Sequence, residues 1–280
     1  MHPRRPWTQR LDYGSFLGLV LAFAAILGGL TLEGGSIGDI RQLTAAIIVL
    51  GGTFGAVMIT VPPRQLIRVL RRIPSLFVEP HDEAEDWIEL ILSYATIARR
   101  RGLIGLEDEL ESVPDPFLRK ALELAVDGMP LVQLRQLLKN DLKLMIRARE
   151  AEIRVLDCAG GYSPTMGILG AVLGLIQVMK QLQNIDEVGR GIAVAFVATV
   201  YGVGAANIIF IPGGHKLRAR LHHDIQMREL ALEGIAGILD GVNPSMIRRS
   251  LEGFSKTKSE LTRVSEPAQT VASRGIMNEQ

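Results

Sequence analysis

The chain lacks the usual marks of catalysis and covalent cross-linking. Its single cysteine, Cys158, excludes an internal disulfide framework. Its five histidines offer no metal set. His222 and His223 are adjacent, so on a helix they point about 100° apart, and no cysteine or carboxylate cluster joins them. No nucleophile, base and metal ligands converge, which leaves no reason to expect an enzyme or a cofactor. The net charge of +1 gives no reason to expect a nucleic-acid partner. The most telling absence is local. Asp, Glu, Lys and Arg make up 22% of the chain, yet they are missing from four long runs.

Those runs are Tyr13 to Leu32, Gln42 to Pro63, Cys158 to Met179 and Gly191 to His215. Each is about the 20 residues needed to cross a hydrocarbon core of roughly 30 Å. One such run suits a buried helix of a water-soluble domain, but a chain of this size has too little other material to cover four. The expected fold is therefore an all-α integral membrane protein with four transmembrane helices. Arg4, Arg5 and Arg10 before the first run, with Ala22-Phe23-Ala24 inside it, imitate a signal peptide. The triplet lies mid-run and the run is too long for a signal's apolar region, so it reads as a retained first span.

Basic residues set the orientation. Arg4, Arg5 and Arg10 precede span one; Arg64, Arg68, Arg71 and Arg72 follow span two; Arg147, Arg149 and Arg154 precede span three; Lys216, Arg218 and Arg220 follow span four. The connectors Glu33 to Ile40 and Gln181 to Val188 contain no Lys or Arg. Both termini and the long middle segment are expected in the cytoplasm, and the two short connectors outside. The chain divides accordingly into a transmembrane hairpin (1–61), a cytoplasmic helical segment (62–157), a second pair of spans (158–215), cytoplasmic amphipathic helices (216–254) and a disordered tail (255–280), polar and poor in aromatics.

Helical periodicity runs through the middle segment, with no strand signal. Arg64 to Arg72 reads as a basic amphipathic helix, after which Pro80 stops regular structure. His81 to Arg101 follows, capped by Asp82 or Glu83, with Trp87, Leu90, Ile91, Tyr94 and Ile97 on one face. Gly102 ends it. A short acidic helix (Leu103 to Glu111), a helix from Phe117 to Val126 and a longer one opened by Pro130 complete the segment, the last running on toward span three. After span four, Lys216 to Leu239 and then Ser245 to Phe254 read as helices.

Spans three and four hold what is unusual. Gly167, Gly170 and Gly174 recur at helical spacing, which suits a transmembrane helix packed closely against others. No ionisable side chain lies inside any span, whereas ion carriers place one at mid-membrane. The polar candidates are Thr165, Thr199, Tyr201 and Asn207. They either satisfy helix hydrogen bonds or face a polar path whose carboxylate comes from a partner. Pro164 and Pro212 are either simple kinks or hinges.

The segments Ser163-Pro164-Thr165-Met166-Gly167-Ile168-Leu169-Gly170-Ala171-Val172-Leu173-Gly174-Leu175 and Gly191 to Asn207 closely resemble the MotA/TolQ/ExbB proton-channel family. The resemblance extends over nearly the whole chain to flagellar stator subunits of the MotA/PomA kind, with four spans, a large inner loop and both ends inside. TolQ and ExbB usually have three spans, so the first hairpin favours the motor branch; a TolQ/ExbB-like energiser of an outer-membrane or gliding system is the alternative. The resemblance implies a bacterial inner-membrane homo-oligomer, a pentameric ring around two copies of a MotB-like single-span, peptidoglycan-binding protein that carries the essential aspartate.

It further implies that Thr199, Thr165, Ala171 and Tyr201 lie along the ion pathway, and that Pro164 and Pro212 couple ion passage to movement. Arg99-Arg100-Arg101-Gly102-Leu103-Ile104-Gly105-Leu106-Glu107 resembles the rotor-contact segment, which assigns Arg99 and Glu107 to the rotor protein FliG. Sodium-type relatives tend to carry threonine where Ala171 stands. Alanine offers no oxygen ligand, so protons are the expected ion and sodium the alternative.

Overall fold

The computed structural model describes residues 8–81 and 84–253. The cap expected at Asp82 or Glu83 and the disordered tail expected at 255–280 lie outside the described residues. Four stretches of helix are long and apolar enough to cross a membrane: Tyr13–Leu32, Leu43–Thr60, Leu131–Lys180 and Ile185–Leu239. The chain divides into two compact units.

The first unit comprises 9–81 and 144–222 and contains the spans. Helix α1, Tyr13–Leu32, coincides residue for residue with the first uncharged run. Asp12 caps it, accepting a 2.9 Å bond from the Ser15 backbone N–H. None of its residues is buried, which suits a helix whose apolar sides meet lipid or other chains. A single helical turn, α2 (Ile37–Ile40), follows in the connector, with Asp39 accepting from the Ser36 backbone N–H at 2.7 Å.

Span two is not one uniform helix. It begins as α3 (Leu43–Ala46), widens into a π-helical turn over Ile47–Gly51, and returns to α geometry as α4 (Gly52–Thr60). Val61 turns extended ahead of two prolines, and Pro63 opens α5 (Pro63–Arg72) at a position where the missing N–H costs nothing. This is the basic amphipathic helix expected there.

One feature departs from the sequence reading. Regular structure continues through Pro80: β2 (Val78–His81) pairs with β1 (Thr8–Leu11) in a two-stranded sheet. The Asp12 N–H extends the pairing to the Phe77 carbonyl at 2.9 Å. Proline is tolerated because both strands of such a ribbon are edges. Each strand has four residues, too few for an alternating pattern to register.

The second unit, 84–143 and 223–253, is a helical bundle. Helix α6 (Ala84–Arg101) buries Trp87, Ile91 and Tyr94, as its spacing predicts, together with Ile88 and Ala95. Gly102 ends it at a φ of +74°, where a side chain would be strained. Leu103–Ser112 is 3-10 helix, and α7 (Pro116–Val126) starts on a cap from Asp115, which accepts from the Leu118 N–H at 2.9 Å. The core joins these to Leu134, Leu138, Leu230, Ile235 and Leu251, all fully buried. Each such side chain contributes about 1.5–3 kcal/mol by leaving water.

Three long helices complete the chain. Helix α8 (Leu131–Lys180) is continuous through Pro164, so the helix opened by Pro130 does run into span three. Helix α9 (Ile185–Gly204) passes through a π-helical stretch, Ala205–Phe210, into α10 (Ile211–Leu239). Residues 244–253 are helical again.

Candidate functional site

Spans three and four meet along a seam of small residues. A Cβ on Gly202 would lie 2.6 Å from the Ser163 carbonyl oxygen, one on Gly167 2.9 Å from that of Ala198, and one on Gly174 2.7 Å from that of Gly191. Backbone therefore touches backbone over several turns. In a bilayer, where apolar surface alone does not drive helices together, such contact supplies the packing energy. Span two joins the seam through Ala45 and Val49, buried against Val197 and Ala198, and the Thr60 and Tyr162 hydroxyls meet at 3.0 Å.

The polar residues of the two spans are held by backbone carbonyls. Thr165 Oγ1 donates to the Tyr162 carbonyl at 2.8 Å, Thr199 Oγ1 to Ala195 at 3.2 Å, and Asn207 Nδ2 to Val203 at 2.9 Å. Tyr201 turns the other way, and its hydroxyl donates to the carbonyl of Ile40 in the connector between spans one and two. Thr165 and Thr199 lie on exposed positions, and Ala171 is half-buried beside Gly170. Thr199 sits against the seam, with its Cα 3.4 Å from where a Cβ on Gly167 would be.

The two prolines share one end of the helix pair. A Cβ on Gly160 would stand 2.8 Å from Ile211 Cγ1; Pro164 is one turn beyond Gly160 and Pro212 is next to Ile211 in sequence. Pro212 has no N–H to donate, and it is the second residue of α10, which begins directly after the π-helical stretch ends at Phe210. The hydrogen-bond register is thus already altered next to the missing donor.

The basic residues after span four do more than set orientation. Lys216 pairs with Asp12 and also donates to Ser15 Oγ, tying span four to the cap of span one. Arg218 Nη2 meets Asp157 Oδ2 of α8 at 2.7 Å. Arg220 donates to the carbonyls of Ser75, Leu76 and Val78, the stretch after α5. Arg72 of α5 pairs with the buried Glu152 of α8 at 2.8 Å. In the Lys216–Asp12 and Arg72–Glu152 pairs, where at least one partner is largely buried, removing the other leaves a costly unpaired charge. Sequence reading missed these partners because they lie far apart in the chain; it registered only the sign of the charge.

Arg99 and Glu107 belong to the helical unit, apart from the spans in sequence. Arg99 is in the last turn of α6 and Glu107 in the following 3-10 helix; both are exposed, and among the described residues neither forms a salt bridge.

Two family models match the chain. One, described as Motility protein A N-terminal, covers residues 16–102. The other, the MotA/TolQ/ExbB proton channel family, covers residues 109–230. Motility protein A of Bacillus subtilis (strain 168) is 33% identical over 90% of this chain and 93% of its own length. Motility protein A of Helicobacter pylori (strain ATCC 700392 / 26695) is 34% identical over 87% of this chain and 95% of its own length. The solved flagellar MotAB stator complex from Bacillus subtilis contains a chain that matches with a TM-score of 0.82 at 33% identity, over 90% of this chain and 99% of that one.

Proposed function

The chain belongs to the MotA/TolQ/ExbB proton channel family, and we propose that it is the multi-span subunit of a flagellar motor stator, coupling ion flow to torque. The observation that carries this reading is the glycine seam of spans three and four, continuous with spans that hold no ionisable group. Such a wall can border an ion path but cannot supply its charge. The carboxylate then comes from a MotB-like single-span partner anchored to peptidoglycan, and this chain forms the surrounding ring, a pentamer. The match over residues 16–102 to the motility-protein N-terminal model favours the motor branch over a TolQ/ExbB-like energiser.

The assembly sits in the bacterial inner membrane with both termini in the cytoplasm. Protonation of the partner's aspartate removes a charge that is expensive at mid-membrane, which changes the ring surface it prefers to face. Thr199, Thr165, Ala171 and Tyr201 line that path. Pro164 and Pro212 transmit the change to the cytoplasmic unit, where Arg99 and Glu107 engage the rotor protein FliG. Co-expression with a MotB-like single-span protein in cells lacking stators tests the proposal. Co-purification of the two and restored swimming are expected. Failure to restore swimming, with rescue of an outer-membrane energising defect instead, would move the chain to the TolQ/ExbB branch.

A further inference from the structure

At the end of the spans where the short connectors lie, spans two, three and four line an open cavity of about 320 Å³. Its lining changes character with depth. Glu187 and Arg190 stand in the first turns of α9, with Gln177 near the end of span three and Thr44 near the start of span two. Ile48, Leu173 and Val194 line the rest, and Val194 lies about two helical turns deeper than Glu187. The Gly174–Gly191 backbone contact closes one wall.

We propose that this cavity binds the headgroup and upper chain of a zwitterionic phospholipid with a primary ammonium. The charges select the ligand class. Glu187 Oε1 and Arg190 Nη1 face each other at 3.2 Å across one helical turn. A lone cation there would meet Arg190 and a lone anion would meet Glu187; a ligand carrying both charges satisfies both. Positions i and i+3 on a helix stand about 5–6 Å apart at Cβ, comparable to an ammonium and a phosphate separated by a two-carbon bridge. The exposed pair itself is worth little and is readily exchanged for a ligand.

The ammonium's three N–H groups find three acceptors at this level: the Glu187 carboxylate, the Thr44 hydroxyl and the Gln177 amide oxygen. A trimethylammonium headgroup donates no hydrogen bonds. Beneath the polar rim, Ile48, Leu173 and Val194 suit an acyl chain, and the rim stands at the membrane boundary where headgroups reside. The inference rests on the chain spanning a membrane, and its test adds the single-span partner proposed above; the lipid readout is separate from torque, so the two readings fail separately.

The test uses the intact complex with its single-span partner, reconstituted in vesicles of equal parts phosphatidylethanolamine and phosphatidylcholine. Leu173, half-exposed at the cavity, is replaced by p-benzoylphenylalanine, and the photo-adducts are identified by mass spectrometry. Phosphatidylethanolamine adducts are expected to exceed phosphatidylcholine adducts by about threefold or more, the scale of a partly exposed charge contact. Glu187→Gln should bring the two toward equality, and Arg190→Gln should lower both. Native mass spectrometry of the unsubstituted complex should show the same preference among retained lipids. Adducts to a neighbouring copy or to the partner chain, equal labelling by the two lipids, or no lipid adduct would overturn the proposal.

Discussion

Lys216 is paired with Asp12, so the helix leaving span four is fastened to the residue that caps span one. The Asp12 side chain is 14% exposed and that of Lys216 23%, which makes the contact costlier to break on one side than a surface pair. Asp12→Ala removes both the cap and the counter-charge, and should lower the stability of the solubilised complex by about 1–3 kcal/mol. Asp12→Asn keeps an acceptor for the Ser15 N–H and should lose less. Thermal unfolding of the two variants separates the contributions; equal losses would mean that the cap adds nothing.

The seam between spans three and four makes a steric prediction. Gly202→Ala would place a methyl group 2.6 Å from the Ser163 carbonyl oxygen and 2.9 Å from Gly167 Cα. Both are backbone atoms that no rotamer change can move. The helices must separate, at a cost of about 1–3 kcal/mol by analogy with overpacked cores. Gly204, two residues on, has nothing within 4 Å of its would-be Cβ, so Gly204→Ala should be neutral or slightly stabilising. Thermal unfolding of the complex in detergent compares the pair, and a Gly202→Ala protein as stable as Gly204→Ala would refute the seam.

What was legible in the sequence follows from the range of the forces involved. Exclusion of charge from hydrocarbon acts on every residue of a span, so span one emerged with its observed limits, Tyr13 and Leu32. Burial of one helix face acts at fixed spacing, so Trp87, Ile91 and Tyr94 were identifiable as core. Gly167 and Gly174 announced a close neighbour but not that Ala198 and Gly191 would provide it. Pairing between distant segments leaves no local trace. The ribbon of Thr8–Leu11 with Val78–His81, the Lys216–Asp12 pair and the bond from Tyr201 to Ile40 are of that kind. The π-helical turns depend on hydrogen-bond register, which composition does not encode.

Tyr94 predicts an alkaline limit for the helical unit. Burial, with Glu109 nearby adding repulsion, pushes its hydroxyl up to about 12, against a smaller opposing bond with Ser112. In the unfolded chain the group ionises near 10. The folded unit therefore keeps its full stability below about pH 10 and loses it as pH rises toward 12, because only the unfolded state gives up the proton. The loss should not exceed about 2 kcal/mol once solvent screening is allowed for. Tyr94→Phe should abolish this part of the alkaline slope in chemical denaturation; a slope unchanged by Tyr94→Phe would assign it elsewhere.

Arg99 and Glu107 are exposed and form no salt bridge among the described residues, so reversing their charges disturbs little within the chain. Arg99→Glu and Glu107→Lys should each leave stability within about 0.5 kcal/mol of the parent. If the proposed rotor contact holds, engagement should nonetheless weaken, because exposed contacts of about 0–1 kcal/mol each would act together there. Swimming of cells with few stators is the sensitive measure. Unchanged swimming in both variants would remove these two residues from the rotor contact.

Ion selectivity turns on oxygen ligands. Sodium is a hard cation that needs several of them, whereas a proton needs only the partner's carboxylate. Ala171 contributes no oxygen, and the hydroxyls of Thr165 and Thr199 are engaged as donors to carbonyls of their own helices. Donation leaves the oxygen lone pairs of both hydroxyls free, so the proposal of protons rests on Ala171. Cells driven by this stator should swim equally well when sodium in the medium is replaced by potassium, and should slow when the proton gradient is collapsed. Loss of swimming on sodium removal alone, with the proton gradient intact, would reverse the assignment and point to the hydroxyl oxygens of Thr165 and Thr199 as ligands despite Ala171.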